Sequence, residues 1–143
     1  MALTQCMVSS FKSELLGGTH DLDTDVIKIA LYTSAATYLD ATVTAYATTD
    51  EVVSSGGTPY VAGGNTLAGA AITLDGTTAI VDFTDSAWLS VSMTARAALI
   101  YNSSKANKAI AVLDFGADKT STLGNFTVVF PVAAAATAIL RIA

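Results

Sequence analysis

Few residues of this sequence have the chemistry of a catalytic centre. The chain of 143 residues has one histidine, His20, and one cysteine, Cys6. A serine–histidine triad would need His20, with an aspartate of 21–25 to orient it, but the Gly-x-Ser-x-Gly turn that exposes a nucleophilic serine is absent. We therefore expect His20 to lie in a surface turn, and we predict that the chain is not an enzyme.

Asp21, Asp23 and Asp25 are spaced like the start of a calcium-binding loop, because alternating carboxylates can converge on a hard cation. An EF-hand is excluded, since Val26 stands where that loop needs glycine and Tyr32 stands where it needs glutamate. A looser cation site at these aspartates is the alternative. The sequence has no Walker loop, dinucleotide fingerprint or zinc-ligand spacing, so we predict no cofactor and no metal.

A pair of carboxylates for glycoside hydrolysis is a further alternative, because such pairs come together only in the folded chain. The ordinary role of acidic residues is a charge in a turn or at a strand edge, in contact with water. The acidic residues available for a pair are Glu14, Glu51, Asp82, Asp85 and Asp114.

The composition describes a small protein with little charge. Hydrophobic residues make up 52% and charged residues 13% of the chain, against about 25% charged residues in typical domains. The net charge of −5 lacks the basic surface that nucleic acid requires, so we predict no nucleic-acid partner. No basic residue precedes Lys12 and no apolar stretch reaches about 18 residues, so we predict neither a signal peptide nor a membrane association. We expect a single domain over residues 1–143.

The patterns along the chain predict mostly β-structure. Apolar residues at helical spacing over 7–16, followed by Gly17 and Gly18, predict one short N-terminal helix within 7–18. Asp75 and Gly76 lie between two apolar runs and predict a type I′ hairpin turn. Strands are predicted over 26–32, 70–74, 77–83, 94–101, 109–115, 125–130 and 136–142. Because no helical pattern separates the later strands, we predict a mainly β fold, an antiparallel β-sandwich or barrel-like domain.

Residues 33–66 form the least patterned stretch. They are rich in Ala, Thr, Ser and Gly, and only 45–53 fits one short strand or helical turn. Loops of this length without structure of their own are uncommon in compact domains unless they are functional. We therefore predict an extended excursion that serves as a contact arm. The alternative is a strand that the weak pattern hides.

Two predicted strands, 94–101 and 109–115, are apolar on both faces. In the first, Leu99 and Tyr101 face one way while Ala98 faces the other. An antiparallel sheet with one wet face should alternate between apolar and polar residues, so both faces need a cover, either inside the domain or from another chain. We favour contact with another subunit and hence a homo-oligomer.

Five segments spread over the chain carry a family resemblance: SSFKSELLGGTH (9–20), IKIALYTS (27–34), YVAGGNTL (60–67), ARAALIYN (95–102) and ILRIA (139–143). Together they resemble the small virion structural proteins of tailed bacteriophages. The resemblance implies a virion component made in the host cytoplasm, a capsid decoration or cement protein bound to the exterior of the shell. Its partner would be the major capsid protein or another virion protein. A tail, neck or fibre-associated structural protein is the alternative within this class.

Aromatic and large apolar side chains are the candidate contact residues, because such residues anchor protein interfaces. The same side chains more often belong to a core. The predicted contacts are Phe11 and Leu15 near the N-terminus, Tyr38, Tyr46 and Tyr60 in the excursion, and Trp88. A β-sandwich that binds host glycans is a hypothesis of a different class, and it predicts an exposed aromatic platform at Trp88 or a tyrosine.

Overall fold

The computed structural model describes residues 2–143. Strands account for 46% of the chain and one short helix for 6%. The helix, α1, spans Ser9–Leu16. The strands are β1 (Cys6–Met7), β2 (Ile27–Tyr32), β3 (Ser55–Gly57), β4 (Asn65–Thr66), β5 (Ala71–Asp75), β6 (Thr78–Asp82), β7 (Ser86–Asn102), β8 (Lys108–Val128) and β9 (Leu140–Ile142).

The strands form two antiparallel sheets. The larger sheet has the order β1-β8-β7-β2-β4, and β3 also pairs with β7. The smaller sheet has the order β5-β6-β9. The predicted fold class, a mainly β sandwich-like domain with one short N-terminal helix, is confirmed. Within residues 2–143 no helix has the length and apolar character that crossing a membrane requires.

The two longest strands, β7 and β8, pair with each other to form a ribbon at the centre of the larger sheet. The sequence predicted shorter strands with a separating loop at 116–121. That boundary was wrong, because β8 continues through the loop as an irregular strand. Ala97 pairs with Asp114 and Ala95 with Lys119, so several residues of β8 bulge out opposite a single residue of β7. A bulge of this kind breaks the alternation by which a strand is recognised.

The middle of the ribbon is buried on both faces within the chain itself. Residues 97–101 of β7 are at most 2% exposed. Tyr101 packs on the excursion, where its hydroxyl donates to the carbonyl of Gly63. Asn102 points to the opposite face and hydrogen-bonds His20. The expectation that another subunit covers this strand was therefore wrong, because the excursion and the N-terminal segment supply both covers inside the domain.

The excursion, residues 33–66, folds over the larger sheet and is not a free arm. Leu39, Val52 and Tyr60 belong to the buried core. The excursion contributes the short strands β3 and β4, whereas 45–53 makes only isolated bridges. The pattern was weak because most of this stretch is held by loop contacts and not by regular strand pairing.

Gly64 brings the excursion into direct contact with β2. Its φ is +72°, and a Cβ atom at this position would overlap the carbonyl oxygen of Ile29. Both the backbone conformation and the lack of space therefore require glycine here.

The smaller sheet contains the predicted hairpin with a different turn. Asp75 pairs with Thr78, so the two turn residues are Gly76 and Thr77. Of these only Gly76 has a positive φ, +62°, as at the first central position of a type II′ turn. The predicted type I′ turn at Asp75 and Gly76 was therefore displaced by one residue.

The predicted elements at both chain ends are longer than those observed. The helix begins at Ser9 because Cys6 and Met7 pair with β8 as strand β1. At the other end only Leu140–Ile142 of the predicted strand 136–142 is a strand, and it pairs with β6.

Candidate interaction surface

His20 is part of a buried hydrogen-bond network and does not lie in an exposed turn as predicted. Its Nε2 donates to Glu14 Oε2 at 2.9 Å, and its Nδ1 accepts from Asn102 Nδ2 at 3.0 Å. Asn102 Nδ2 also donates to Asp25, while its Oδ1 accepts from the amide of Ser104. These bonds fix the Asn102 amide and place the single ring proton of His20 on Nε2. The imidazole therefore joins α1, the following turn and β7, and has no nitrogen free for catalysis.

The aspartates of the predicted calcium-like turn hold the chain itself. Asp21 Oδ1 accepts from the amides of Asp23 and Thr24. The side chain of Thr24 first, and then these amides, hold the pKa of Asp21 below its ordinary value. Asp25 Oδ2 accepts from the amide of Asp21 and from Asn102. Within residues 2–143 no group of three or more His, Cys, Asp or Glu side chains is placed to hold a metal ion.

Glu51 is buried, and its carboxylate holds the excursion in place through hydrogen bonds. Its Oε1 accepts from the Tyr60 hydroxyl and from the Gly63 amide, each at 2.7 Å, and its Oε2 accepts from the Tyr46 hydroxyl at 2.8 Å. Tyr46 stacks on Tyr101 with ring centroids 4.6 Å apart. Burial raises the pKa of Tyr60, and the adjacent carboxylate raises it further. The carboxylate is thus committed to three donors that tie separate turns of the excursion together.

Other candidates for a glycosidase carboxylate pair are also engaged in structural contacts. Glu14 accepts from Lys108 at 2.7 Å, and this bond lowers the pKa of Glu14. Asp114 pairs with Arg96 at 2.9 Å, and Asp85 accepts from the amide of Phe130. The cysteine offers little chemistry either, because Cys6 is half-buried in β1 and burial raises the pKa of its thiol.

The predicted contact residues lie largely inside the chain. Phe11, Tyr60 and Trp88 are 1%, 8% and 7% exposed, so they have almost no surface to offer a partner. Leu15 is half-buried against the core. Tyr38 and Tyr46 are also half-buried, and their hydroxyls donate to Thr49 O and to Glu51. None of the aromatic residues within 2–143 is exposed, so the aromatic platform expected of a glycan-binding module is not found there.

Aliphatic side chains, and not aromatic ones, make up the exposed apolar surface. The exposed members are Leu16, Val26, Val53, Val61, Ile72, Leu74, Leu89, Leu123, Val129, Val132 and Ile142. Leu89 and Leu123 are 58% and 63% exposed and lie in the facing strands of the ribbon. They mark the region where the ribbon is least regular.

Paired bulges shape this region. Ser90 in β7 and Leu123 in β8 have φ values of +50° and +47°, a conformation that costs about 1–2 kcal/mol for a residue with a side chain. The amide of Leu123 donates to Ser92 Oγ at 2.8 Å. The Leu123 side chain covers Gly56 of β3, where a Cβ atom would lie 3.1 Å from Leu123 Cδ2. The strained leucine is therefore held over β3 with most of its side chain in solvent.

A shallow depression of about 440 Å³ adjoins Leu123. It is lined by Val53, which is 89% exposed, by Met93 and by hydroxyl side chains of Ser and Thr. We call the whole region, formed by Val53, β3, residues 89–92 and residues 120–125, the bulge surface.

The bulge surface has no charged side chain. Residues 52–74, 86–95 and 120–140 contain no Asp, Glu, Lys, Arg or His, and these three segments supply the whole of it. The chain has 12 acidic and 7 basic residues, so the charges are confined to the remaining segments. Sequence reasoning missed the bulge surface because it ranked aromatic residues first, although the charge-free segments are visible in the sequence.

Comparison of the chain with family models, with curated proteins and with solved structures finds no match.

Proposed function

We propose that this chain is a structural protein of a bacteriophage virion, a decoration protein that binds the outer surface of the capsid and stabilises it. The class of partner comes from the sequence resemblance described above. The partner is the major capsid protein or another protein of the shell, and the bulge surface is the part of the chain that contacts it.

The charge-free character of the bulge surface is the observation that carries this proposal. Docking such a surface removes aliphatic groups and hydroxyls from water without stripping the hydration of charges, which is the costly part of forming an interface. Leu89 and Leu123 supply exposed apolar area on this surface. A phosphate backbone would find no basic side chain on this surface.

Stabilisation of the shell follows from mass action. A protein that binds the assembled shell and not its separated subunits stabilises each site by RT ln(1 + [L]/Kd), about 3 kcal/mol at a hundredfold excess over Kd. The net charge of −5 suits the exterior of a shell better than an interior lined with DNA.

The first experiment mixes the purified chain with shells of its own phage from which the protein has been stripped. Bound and free protein are separated by sedimentation, and copy number and shell melting are measured. We expect saturation at hundreds of copies and a higher melting temperature. Saturation at a few copies would indicate a location in the tail or neck, and the absence of binding would overturn the proposal.

Two variants test whether the bulge surface makes the contact. Leu89→Ser and Leu123→Asn each remove an exposed leucine, and we expect each to raise the Kd for shells roughly five- to tenfold, from about 1 kcal/mol of lost apolar burial. Asparagine tolerates a positive φ better than leucine does, so Leu123→Asn should unfold at the same temperature as the wild type or higher.

Leu16→Asn is the matched control. Leu16 is 91% exposed at the end of α1, outside the bulge surface, so its replacement should leave shell binding unchanged. Equal loss of binding in the control and in the two variants would show that the bulge surface is not the contact.

A further inference from the structure

Strand β5 is an open edge of the smaller sheet. The sheet order is β5-β6-β9, so β5 has a partner on one side only. All five of its residues are exposed. Edge strands of natural proteins usually carry Lys, Pro or a bulge that prevents pairing with another chain. β5 reads AITLD and pairs with β6 in a continuous register, so it has none of these devices.

The hairpin register determines which backbone groups of β5 point outward. Asp75 and Thr78 flank the two-residue turn and form a hydrogen-bonded pair, and Thr73 with Ile80 forms the next such pair. The amide and carbonyl groups of Ile72 and Leu74 therefore point away from β6. Within residues 2–143 they make no hydrogen bond to any other segment.

The side chains of the same two residues extend an apolar face. Ile72 lies beside Val81, and Leu74 lies beside Ala79, so these residues share one face of the sheet with Leu140 and Ile142. Ile72 is 51% and Leu74 is 74% exposed. The face borders a cavity of about 360 Å³ between the sheet and α1, whose lining includes Phe11 and Leu15. The unpaired backbone groups of β5 and the exposed apolar side chains of Ile72 and Leu74 therefore lie at the same edge of the smaller sheet.

We propose that β5 pairs antiparallel with β5 of a second copy of the chain, about a two-fold axis at Thr73. In this register Ile72 of each copy lies opposite Leu74 of the other copy. The outward amide and carbonyl groups of these residues then face one another and form four backbone hydrogen bonds. The two small sheets join into one sheet of six strands. The half-exposed Ile72 and Leu74 of each copy then continue the apolar face across the axis.

The strand fits a second copy of itself in charge as well as in hydrogen bonding. Asp75 is the only charged residue of β5, and in the Thr73-centred register it lies opposite Ala71 of the second copy. The two carboxylates are therefore at opposite ends of the pairing. If the register between the two β5 strands shifted by one residue, backbone groups that point outward in one copy would face groups that point toward β6 in the other. A shift of two residues would lose hydrogen bonds or the match between apolar side chains. This dimer does not depend on capsid binding.

Cysteine cross-linking tests the register directly, in a background in which Cys6 is replaced by Ser. Thr73→Cys places two thiols at a non-hydrogen-bonded pair on the axis, where the Cα atoms lie about 4.5 Å apart and a disulfide can form. Ala71→Cys is the matched control, because its two copies would lie roughly 13 Å apart along the strands. We expect a rapid oxidised dimer from the first variant and none from the second.

Sedimentation of the shell-free chain tests the affinity. Leu74→Pro removes an outward amide and leaves the hairpin bonds of β5 intact, so the proline is tolerated at this edge. It deletes two of the four intermolecular bonds, and we expect the Kd of the dimer to rise about tenfold or more. Val61→Pro, at an exposed residue outside β5, is the control for the proline substitution and should dimerise normally.

A wild-type chain that stays monomeric up to near-millimolar concentration would overturn the proposal. So would equal cross-linking of the Thr73→Cys and Ala71→Cys variants. Neither result bears on shell binding, which is measured separately with stripped shells.

Discussion

At the scale of single residues, the polar side chains that suggested chemistry hold loops in place. His20 joins the N-terminal segment to Asn102, and Glu51 gathers Tyr46 and Tyr60 around one carboxylate. A buried polar group is costly unless it is hydrogen-bonded, so each network also specifies one arrangement of its loop.

The tyrosines give a pH-dependent prediction. All five have pKa values raised above the ordinary value, mainly by burial, and that of Tyr101 reaches about 12. A raised pKa contributes stability that is complete below the unfolded value and is lost as pH rises toward the folded value. At a pH of about 10.5 we expect clearly less tyrosinate absorbance from the folded chain than from the chain in guanidinium, which should be mostly ionised.

Equal tyrosinate absorbance in the folded chain and in guanidinium would contradict the burial of these side chains. Tyr46→Phe and Tyr60→Phe supply the control, because each removes one hydroxyl from Glu51 and should lower the resistance of the excursion to proteolysis without changing the fold class.

The sequence pointed to the aromatic residues as structurally significant but did not predict their role. Phe11, Tyr60 and Trp88 were assigned to contacts with a partner because aromatic residues anchor interfaces, yet the chain uses them for its own core. Residue type alone does not distinguish the two roles, since both depend on apolar area. Only the folded positions of α1 and of the excursion against the larger sheet decide the role of these residues.

At the scale of elements, strands were predictable where apolar and polar residues alternate. Strand β2 and the β5–β6 hairpin were found within one residue of their observed ends. The ribbon was not found as a whole, because bulges around Ser90, Leu123 and 115–118 break the alternation. The bulges themselves form only when the two strands meet, and the bulge surface was missed because aromatic residues were ranked above the aliphatic residues of the charge-free segments.

Gly64 gives a prediction for the contact between the excursion and β2. In Gly64→Ala the new methyl group would overlap the Ile29 carbonyl at a φ of +72°, and we expect a loss of more than about 3 kcal/mol of stability in urea denaturation. Gly116→Ala is the matched control, because Gly116 has a φ of +80° and no atom within 4 Å of the added Cβ. It should lose only about 1 kcal/mol. Equal losses would mean that Gly64 is needed for its conformation alone.

At the scale of the whole molecule, charges and apolar surface are kept apart. The acidic and basic side chains join distant segments, as Glu14 with Lys108 joins α1 to β8 and Asp114 with Arg96 joins the two strands of the ribbon. The charge-free segments form the bulge surface and all of the exposed edge strand β5 except Asp75. Each copy thus has two exposed apolar regions, one for each of the two contacts proposed above.

The carboxylates predict how the whole fold responds to acid. Lys108 lowers the pKa of Glu14, Arg96 lowers that of Asp114, and Thr42 lowers that of Asp40. A lowered pKa contributes stability above the unfolded value and loses it as pH falls through the folded value. We expect the free energy of unfolding to be level above about pH 5 and to fall below about pH 4.

The Glu14→Gln variant should show a shallower fall with acid than the wild type in urea denaturation across this range. Asp23→Asn is the control, because the Asp23 carboxylate is exposed and makes no hydrogen bond within residues 2–143. A fall of the same slope in Glu14→Gln and in the wild type would assign acid sensitivity to other groups.

The order of strands in the larger sheet also determines how the chain can fold while it is being synthesised on the ribosome. Strand β1 pairs with β8, and all six residues of β2 pair with β7, so both strands gain these neighbours only from segments that begin at Ser86 or later. The β7–β8 hairpin is local in sequence and can form as soon as it emerges, whereas pairings across long sequence separations are slow. The first half of the nascent chain therefore leaves the exit tunnel with only the two-residue strand pairing of β2 with β4 available to it. The larger sheet can form only once β7 and β8 have been made.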